Sequence, residues 1–262
     1  MPPYSNVSER GPSLDDDPTL SEYDGIRYLH FGTEWVQGAM RVAEPSELVL
    51  AYTQQMMGWL LFLEPRRKDK VAILGLGAGS LLRFVLKHTR ASTQTVEWNP
   101  AVTAICRMYF RLPESSRSEI WHGDADRWAQ DNENIGRYTA LMVDLYDAHA
   151  QGPVCDSLAF YQGCYRALAD TGIMTVNLFG SHESFAPNLD NIRQAFGGRM
   201  LELPEIDAGN RVVLAFKGPV LDVSAGRFME RAEEVESQYG LPARRWARAI
   251  LSGKRRRDTL VV

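Results

Sequence analysis

One stretch of the sequence, from Val71 to Pro100, limits the possible folds more than any other part of the chain. It begins with an apolar run, Val71–Leu74, and continues through a glycine-rich loop, Gly75–Ser80, into a helical pattern of apolar residues. A second short strand, Thr93–Val96, is predicted next and leads directly to an acidic residue, Glu97. Strand, glycine turn, helix, strand and acid in this order predict a βαβ unit that binds an adenosine-containing ligand.

The glycines and the acid have separate expected roles. Gly75, Gly77 and Gly79 let the backbone approach a ligand closely, and Glu97 is placed to accept hydrogen bonds from ribose hydroxyls. A dinucleotide site would favour glycine or alanine where this chain has Ser80. The pattern Gly-x-Gly-x-Gly is instead typical of enzymes that bind S-adenosylmethionine or its relatives, which have no pyrophosphate. The alternative is a tight turn whose glycines serve packing only.

Length, charge and composition narrow the class of protein. A chain of 262 residues is long enough for one sizeable α/β core with a small appendage. Its net charge of −4 argues against a dedicated nucleic-acid binder. The absence of a leader pattern and of a long apolar run predicts a cytoplasmic protein without a membrane partner. The three cysteines are expected to be reduced, and they form no credible metal site with the scattered histidines, so no metal is expected.

Composition and periodicity divide the chain into four predicted segments. The second segment is expected to contain a hairpin, Ile26–Phe31 and Trp35–Met40, and then a helix over Glu47–Leu63. The segments are a disordered acidic N-terminal segment (1–24), a small N-terminal β-hairpin and helix (25–66), a Rossmann-like nucleoside-binding domain (67–220), and C-terminal helices with a basic tail (221–262).

Strands and helices alternate through the third segment, which predicts an α/β fold with a doubly wound, mostly parallel sheet. In such sheets ligands collect beyond the carboxyl ends of the strands. The further predicted elements are strands at Glu119–His122, Tyr138–Val143, Ile173–Leu178 and Arg211–Lys217, and helices at Ala101–Phe110, Ser157–Ala169, Phe185–Phe196 and Val223–Leu251.

Acidic residues follow several of these strands. Asp124 can accept the adenine amino group beside a backbone N–H, although an aspartate there would serve equally well as a helix N-cap. Asp144 and Asp147 form a carboxylate pair that can hold a cationic amine and accept its proton. In the alternative interpretation Asp147 only caps a loop. Trp98, next to Glu97, could lie against the nucleoside.

From roughly Ile26 to Lys217 the chain resembles a divergent member of the spermidine synthase family of aminopropyltransferases, which have a class I methyltransferase-like fold. In that family decarboxylated S-adenosylmethionine gives its aminopropyl group to a polyamine such as putrescine. The resemblance rests on the glycine loop and on Leu82–His88, Val96-Glu97, Gly123–Ala125, Val143–Asp147 and Phe160-Tyr161.

The resemblance implies roles for individual residues. Glu97 would hold the ribose, Asp124 the adenine, and Asp144 would orient and deprotonate a small-molecule amine acceptor. Dimerisation of two identical chains through the N-terminal β segment is also implied. The expected cofactor-binding residues are Gln37, Gly75, Gly77, Ala78, Gly79, Glu97, Trp98, Asp124 and Ala125, and the expected catalytic residues are Asp144 and Asp147.

Departures from the family pattern leave three functions open. Ala78 replaces a loop aspartate that holds the aminopropyl ammonium, and Tyr52–Gln54 replaces Tyr-His-Glu. No counterpart of the family's Tyr-Pro segment is found near Asp207–Asn210. Each lost charge-assisted contact is worth roughly 1.5–3 kcal/mol, so these losses matter for binding a charged amine. The amine half of the site is therefore altered, while the nucleoside half is kept. The chain is therefore an aminopropyltransferase with a changed acceptor, a methyltransferase using intact S-adenosylmethionine, or a non-catalytic nucleoside-binding homologue.

Overall fold

The computed structural model of the chain describes residues 17–146, 154–180, 182–206, 209–253 and 258–262. Three of the sequence-based expectations therefore fall outside the described residues. They concern the first sixteen residues, the catalytic candidate Asp147, and the basic tail Lys254–Arg257.

The N-terminal sheet has three antiparallel strands, β1 (Pro18–Tyr23), β2 (Ile26–Phe31) and β3 (Gly38–Arg41). The predicted disorder is therefore wrong for the residues of β1, which pairs with β2 along its whole length. The reason is the turn Asp24-Gly25, where both residues have positive φ (49° and 71°), as a tight hairpin turn requires. β1 is exposed on both faces, so it carries no alternating apolar pattern to reveal it.

Two further predictions in this region need correction. β3 begins at Gly38 instead of Trp35, so six residues connect it to β2 instead of the three between the predicted strands. The predicted helix Glu47–Leu63 is a shorter helix, α1 (Ala51–Met56), followed by a 3-10 helix, Met57–Leu61. Every residue of that 3-10 helix is buried, because tertiary packing on all sides fixes its path.

The central sheet has seven strands, and all are parallel except β10, which is antiparallel to both of its neighbours. β5 and β6 lie on one side of β4, whereas β7 and β8 lie on its other side, so the order of the strands switches between β4 and β7. Crevices for ligands form at such switch points. The predicted doubly wound, mostly parallel α/β fold is confirmed. The spatial order is β6 (Ser118–His122), β5 (Ser92–Glu97), β4 (Lys70–Leu74), β7 (Tyr138–Val143), β8 (Leu168–Phe179), β10 (Asn210–Lys217) and β9 (Met200–Glu202).

Helices cover both faces of this sheet. Alternate residues of β4 enter two separate apolar clusters, with Val71 and Ile73 on one face and Ala72 and Leu74 on the other. β8 starts five residues before the predicted Ile173, directly at the end of the preceding helix. The helices are α2 (Ser80–His88), α3 (Pro100–Tyr109), α4 (Ala125–Gln130), α5 (Leu158–Ala167) and α6 (Phe185–Ala195), with a 3-10 turn at Asn132–Asn134.

The C-terminal part contains two helices, α7 (Ala225–Tyr239) and α8 (Ala243–Ser252), where one helical stretch was predicted. Gly240, with φ of 68°, ends α7 in the left-handed conformation that favours glycine. A small antiparallel pair, β11 (Asp222–Ser224) and β12 (Thr259–Val261), lies beside them. Within the described ranges, the helices are too short or too polar to cross a bilayer.

Candidate active site

The glycine bend after β4 and the acid at the end of β5 meet directly. Gly75, Gly77 and Gly79 all have positive φ, which turns the chain back over the end of the sheet. The backbone N–H of Leu76 donates to Glu97 Oε2 at 3.0 Å, and that of Asn99 donates to Oε1 at 2.8 Å. Burial raises the pKa of Glu97, while these N–H groups act in the opposite direction. The structure thus brings Glu97 to the bend.

Asp144 adjoins the same bend from the opposite side, at the end of β7. Its backbone N–H donates to the carbonyl of Leu74 at 2.9 Å. A Cβ placed on Gly75 would lie only 2.1 Å from the carbonyl oxygen of Asp144, so the two backbones are in contact. Since β4 lies between β5 and β7, the bend separates Glu97 from Asp144.

The carboxylate of Asp144 is half-buried and receives two hydrogen bonds. Asn177 Nδ2 donates to Oδ1 at 3.0 Å, and the hydroxyl of Tyr52 donates to Oδ2 at 3.2 Å. Burial raises the pKa of Asp144, whereas the bonds from Asn177 and Tyr52 lower it. Burial also raises the pKa of Tyr52, with the charge of Asp144 adding to the effect. A carboxylate held in this way can serve as a general base.

Asp124 follows β6, the strand that pairs with β5, and caps a helix. Its Oδ1 accepts from the backbone N–H groups of Asp126 at 2.6 Å and Arg127 at 3.1 Å, which is the N-cap role weighed above. The N–H of Gly123 donates to the carbonyl of Glu97 at 3.0 Å, which joins this turn to the end of β5. Contact of Asp124 with adenine stays a prediction. Trp98 is 48% exposed and Ala125 is buried beside this turn.

The N-terminal sheet covers the glycine loop. A Cβ on Gly38 would lie 2.6 Å from the Cβ of Ala78, and Ala78 is 2% exposed. The carbonyl oxygen of Gln37 lies 3.0 Å from the place that a Cβ on Gly77 would take. The structure therefore brings the backbone of Gln37 to the loop and packs the methyl group of Ala78 against β3, while contact of Gln37 with a ligand stays a prediction.

A buried arginine stabilises this loop through hydrogen bonds. Arg83, on α2, donates to the carbonyls of Pro45, Ala78 and Phe110 and to the hydroxyl of Ser80. Burial lowers the pKa of Arg83 to about 10, which leaves the guanidinium charged at neutral pH. One side chain thus ties the glycine loop to the segment after β3 and to the end of α3.

Comparison with known proteins identifies the family. Residues 49–199 match the spermine/spermidine synthase domain. A polyamine aminopropyltransferase of Neisseria meningitidis serogroup A is 33% identical over 229 residues, covering 85% of this chain and 84% of that protein. The chain belongs to the spermine/spermidine synthase family. The resemblance to that family is thereby confirmed.

Solved structures agree with the fold of this spermine/spermidine synthase family member. A probable spermidine synthase from Corynebacterium glutamicum has a TM-score of 0.68 at 17% identity, covering 89% of this chain and 91% of that one. Human methyltransferase-like protein 13, solved in complex with SAH, has a TM-score of 0.62 at 19% identity, covering 73% of this chain and 93% of that one. These two likenesses show a methyltransferase-type fold.

Several polar residues around Asp144 were not predicted from the sequence. Asn177 is 2% exposed inside an apolar strand, and Asn210 donates to it from the next strand. Asn177 could have been predicted as a site residue, because it is an asparagine in the apolar run Ile173–Leu178 and buried polar groups need partners. Tyr52 was noted only as part of an altered motif. Its contact with Asp144 joins residues 92 positions apart and leaves no local pattern.

Replacing Ala78 by aspartate is expected to destabilise this family member instead of creating an amine site. Ala78 packs against Gly38, so a larger, charged side chain would displace β3 at a cost of roughly 1–3 kcal/mol or more. Urea denaturation of Ala78→Asp measures this loss. Ala101→Asp, at an exposed position in the first turn of α3, is the matched control and should be neutral. Unchanged stability with tighter binding of decarboxylated donor would contradict the expectation.

Proposed function

We propose that this protein is an aminopropyltransferase that moves an aminopropyl group from decarboxylated S-adenosylmethionine to an amine. The observation that carries the proposal is the position of Asp144, a half-buried carboxylate in backbone contact with the glycine bend that Glu97 completes. This arrangement sets a general base directly beside a site suited to a nucleoside. The name of the Neisseria relative, polyamine aminopropyltransferase, supports the same reaction.

The nucleoside half of the proposed site lies at the carboxyl ends of β4, β5 and β6. Glu97 would accept from the ribose hydroxyls with the lone pairs left over from its two backbone contacts. Asp124 would accept from the adenine amino group through Oδ2, since Oδ1 caps α4. The other residues proposed to line the donor site are Gln37, Gly75, Gly77, Ala78, Gly79, Trp98 and Ala125.

The proposed reaction is a single displacement. The lone pair of the acceptor nitrogen attacks the propyl carbon bound to the sulfonium, the carbon–sulfur bond breaks, and its electron pair stays on sulfur as methylthioadenosine. Asp144 accepts the proton that the nitrogen loses. The pKa of Asp144 is raised by burial, which strengthens it as a base. Asp147, which follows in the sequence, is proposed as a second carboxylate for the charged acceptor.

Methyl transfer from intact S-adenosylmethionine is the second candidate. Ala78 favours it, because the loop has no acid at this buried position to select a donor that carries a terminal ammonium group. A carboxylate on the donor would then meet no repelling charge from the loop. The reaction class is otherwise the same, with a methyl group in place of the aminopropyl group.

Product analysis distinguishes these functions. The full chain is incubated with decarboxylated or intact S-adenosylmethionine and a panel of diamines and polyamines. Release of methylthioadenosine from the decarboxylated donor with any amine supports aminopropyl transfer. S-adenosylhomocysteine formed from the intact donor supports methyl transfer instead. If calorimetry shows donor binding but no product forms, both transfer reactions are excluded and a non-catalytic nucleoside-binding role is left.

We also propose a cytoplasmic homodimer built through the N-terminal sheet. Among the described residues β1 is an edge strand of that sheet and exposes Leu20 and Tyr23, so it can pair with a second copy. Sedimentation analysis should then give twice the mass of one chain. A Leu20→Asp variant should shift the equilibrium toward the monomer, whereas a monomeric wild-type chain at micromolar concentration would contradict the proposal.

A further inference from the structure

A chain of two side-chain amides leads from β10 to the carboxylate of Asp144. Asn210 Nδ2 donates to Asn177 Oδ1 at 3.0 Å, and Asn177 Nδ2 donates to Asp144 Oδ1 at 3.0 Å. Val212 is opposite Asn177 in the antiparallel pair, so Asn210 lies diagonally from Asn177 on the same face of the sheet. We infer that Asn177 and Asn210 are positioning residues that hold Asp144 as an ionised, correctly turned base; this rests on the proposed function.

The direction of every hydrogen bond in this amide chain follows from the first. An ionised carboxylate only accepts, so Asn177 must present its NH2 group to Asp144. The carbonyl oxygen of Asn177 then faces Asn210, which must present its own NH2 group. Protonation of Asp144 at Oδ1 would leave two donors facing each other. The amide chain is therefore matched to the ionised form of Asp144.

Burial leaves Asn177 few other partners. Its side chain is almost completely inaccessible, and its backbone carbonyl accepts from the hydroxyl of Tyr146 at 3.1 Å. Among the described residues, the titratable groups near Asp144 are Tyr52, from α1, and Tyr146, which follows β7. β8 and β10 present amides to it. A change in the titration of Asp144 on altering Asn210 would thus report on the amide chain.

Asn210→Asp is the decisive variant because it keeps the size of the side chain and removes its donor. A carboxylate at position 210 can only accept, so Asn177 turns and presents its oxygen to Asp144. The acid limb of the pH profile of kcat/KM is expected to move upward by roughly one pH unit, and the carbon-13 NMR titration of the Asp144 carboxyl should move with it. Asn210→Leu, which adds no charge, should shift both in the same direction by a smaller amount.

One control variant and two contrary outcomes keep the inference open to failure. Asn132→Asp adds one charge at an exposed turn before β7 and should leave both titrations unchanged. A shift in Asn210→Asp without any shift in Asn210→Leu would assign the effect to charge alone and overturn the inference. Unshifted titration in both variants would overturn it too. If the wild-type chain releases no methylthioadenosine, the proposed function fails, but the NMR titration, assigned with Asp144→Asn, still tests the amide chain.

Discussion

The Asp144→Asn variant is expected to transfer aminopropyl groups roughly 10²–10⁴-fold more slowly than the wild type, because it removes the base. The substitution keeps the shape of the side chain. Asn177 can still donate to the remaining oxygen at position 144, and the hydroxyl of Tyr52 can rotate to accept from the new amide. The loss should therefore appear in kcat, with the affinity for the donor unchanged.

Single-turnover release of methylthioadenosine at saturating donor, combined with calorimetry of donor binding, measures the two effects separately. Asp222→Asn, on the exposed face of β11, is the matched control and should leave both unchanged. Wild-type rates in Asp144→Asn would mean that another group takes the proton, or that the chemistry lies elsewhere. Lost donor affinity in this variant would instead indicate a binding role for Asp144.

Stability should respond to this substitution in the opposite sense. Burial raises the pKa of Asp144, so the folded chain binds this proton more tightly than the unfolded chain. The resulting stabilisation is fully present below the unfolded pKa of about 3.9 and is lost as the pH rises through the folded pKa. At neutral pH the wild type must therefore ionise Asp144 at a cost in folding free energy, and Asp144→Asn removes this cost. The variant should be at least as stable as the wild type at neutral pH. Its advantage should disappear in acid, as thermal denaturation across the pH range would show.

The sequence located the backbone of the site better than its side-chain surroundings. Gly75, Glu97 and Asp144 follow predicted strands of a parallel sheet, and parallel strands must bring their carboxyl ends to one edge. Their convergence could therefore be predicted without knowing any contact. Asn177 and Asn210 belong to an antiparallel pair whose register depends on the long connection through α6 and β9. No local spacing encodes that register, so their contact with Asp144 could only be seen in the structure.

Gly75→Ala is expected to cost about 3–5 kcal/mol of folding free energy and to abolish donor binding. Two effects add at this position. With φ of 92°, Gly75 has a backbone conformation that a residue with a Cβ adopts only at a cost of roughly 1–2 kcal/mol. The new Cβ would also lie 2.1 Å from the carbonyl oxygen of Asp144, which is backbone and cannot turn aside like a flexible side chain.

Gly136→Ala separates the two effects. Gly136 has φ of 71°, but no atom lies within 4 Å of the place that its Cβ would take. This control should therefore show only the conformational cost, and the difference in the free energy of unfolding between the two variants measures the contact with Asp144. Equal losses would mean that the bend and Asp144 are not packed together. A larger loss in Gly75→Ala would show that the backbone of Asp144 packs against the glycine bend. The new methyl group can be accommodated only if the bend or Asp144 moves.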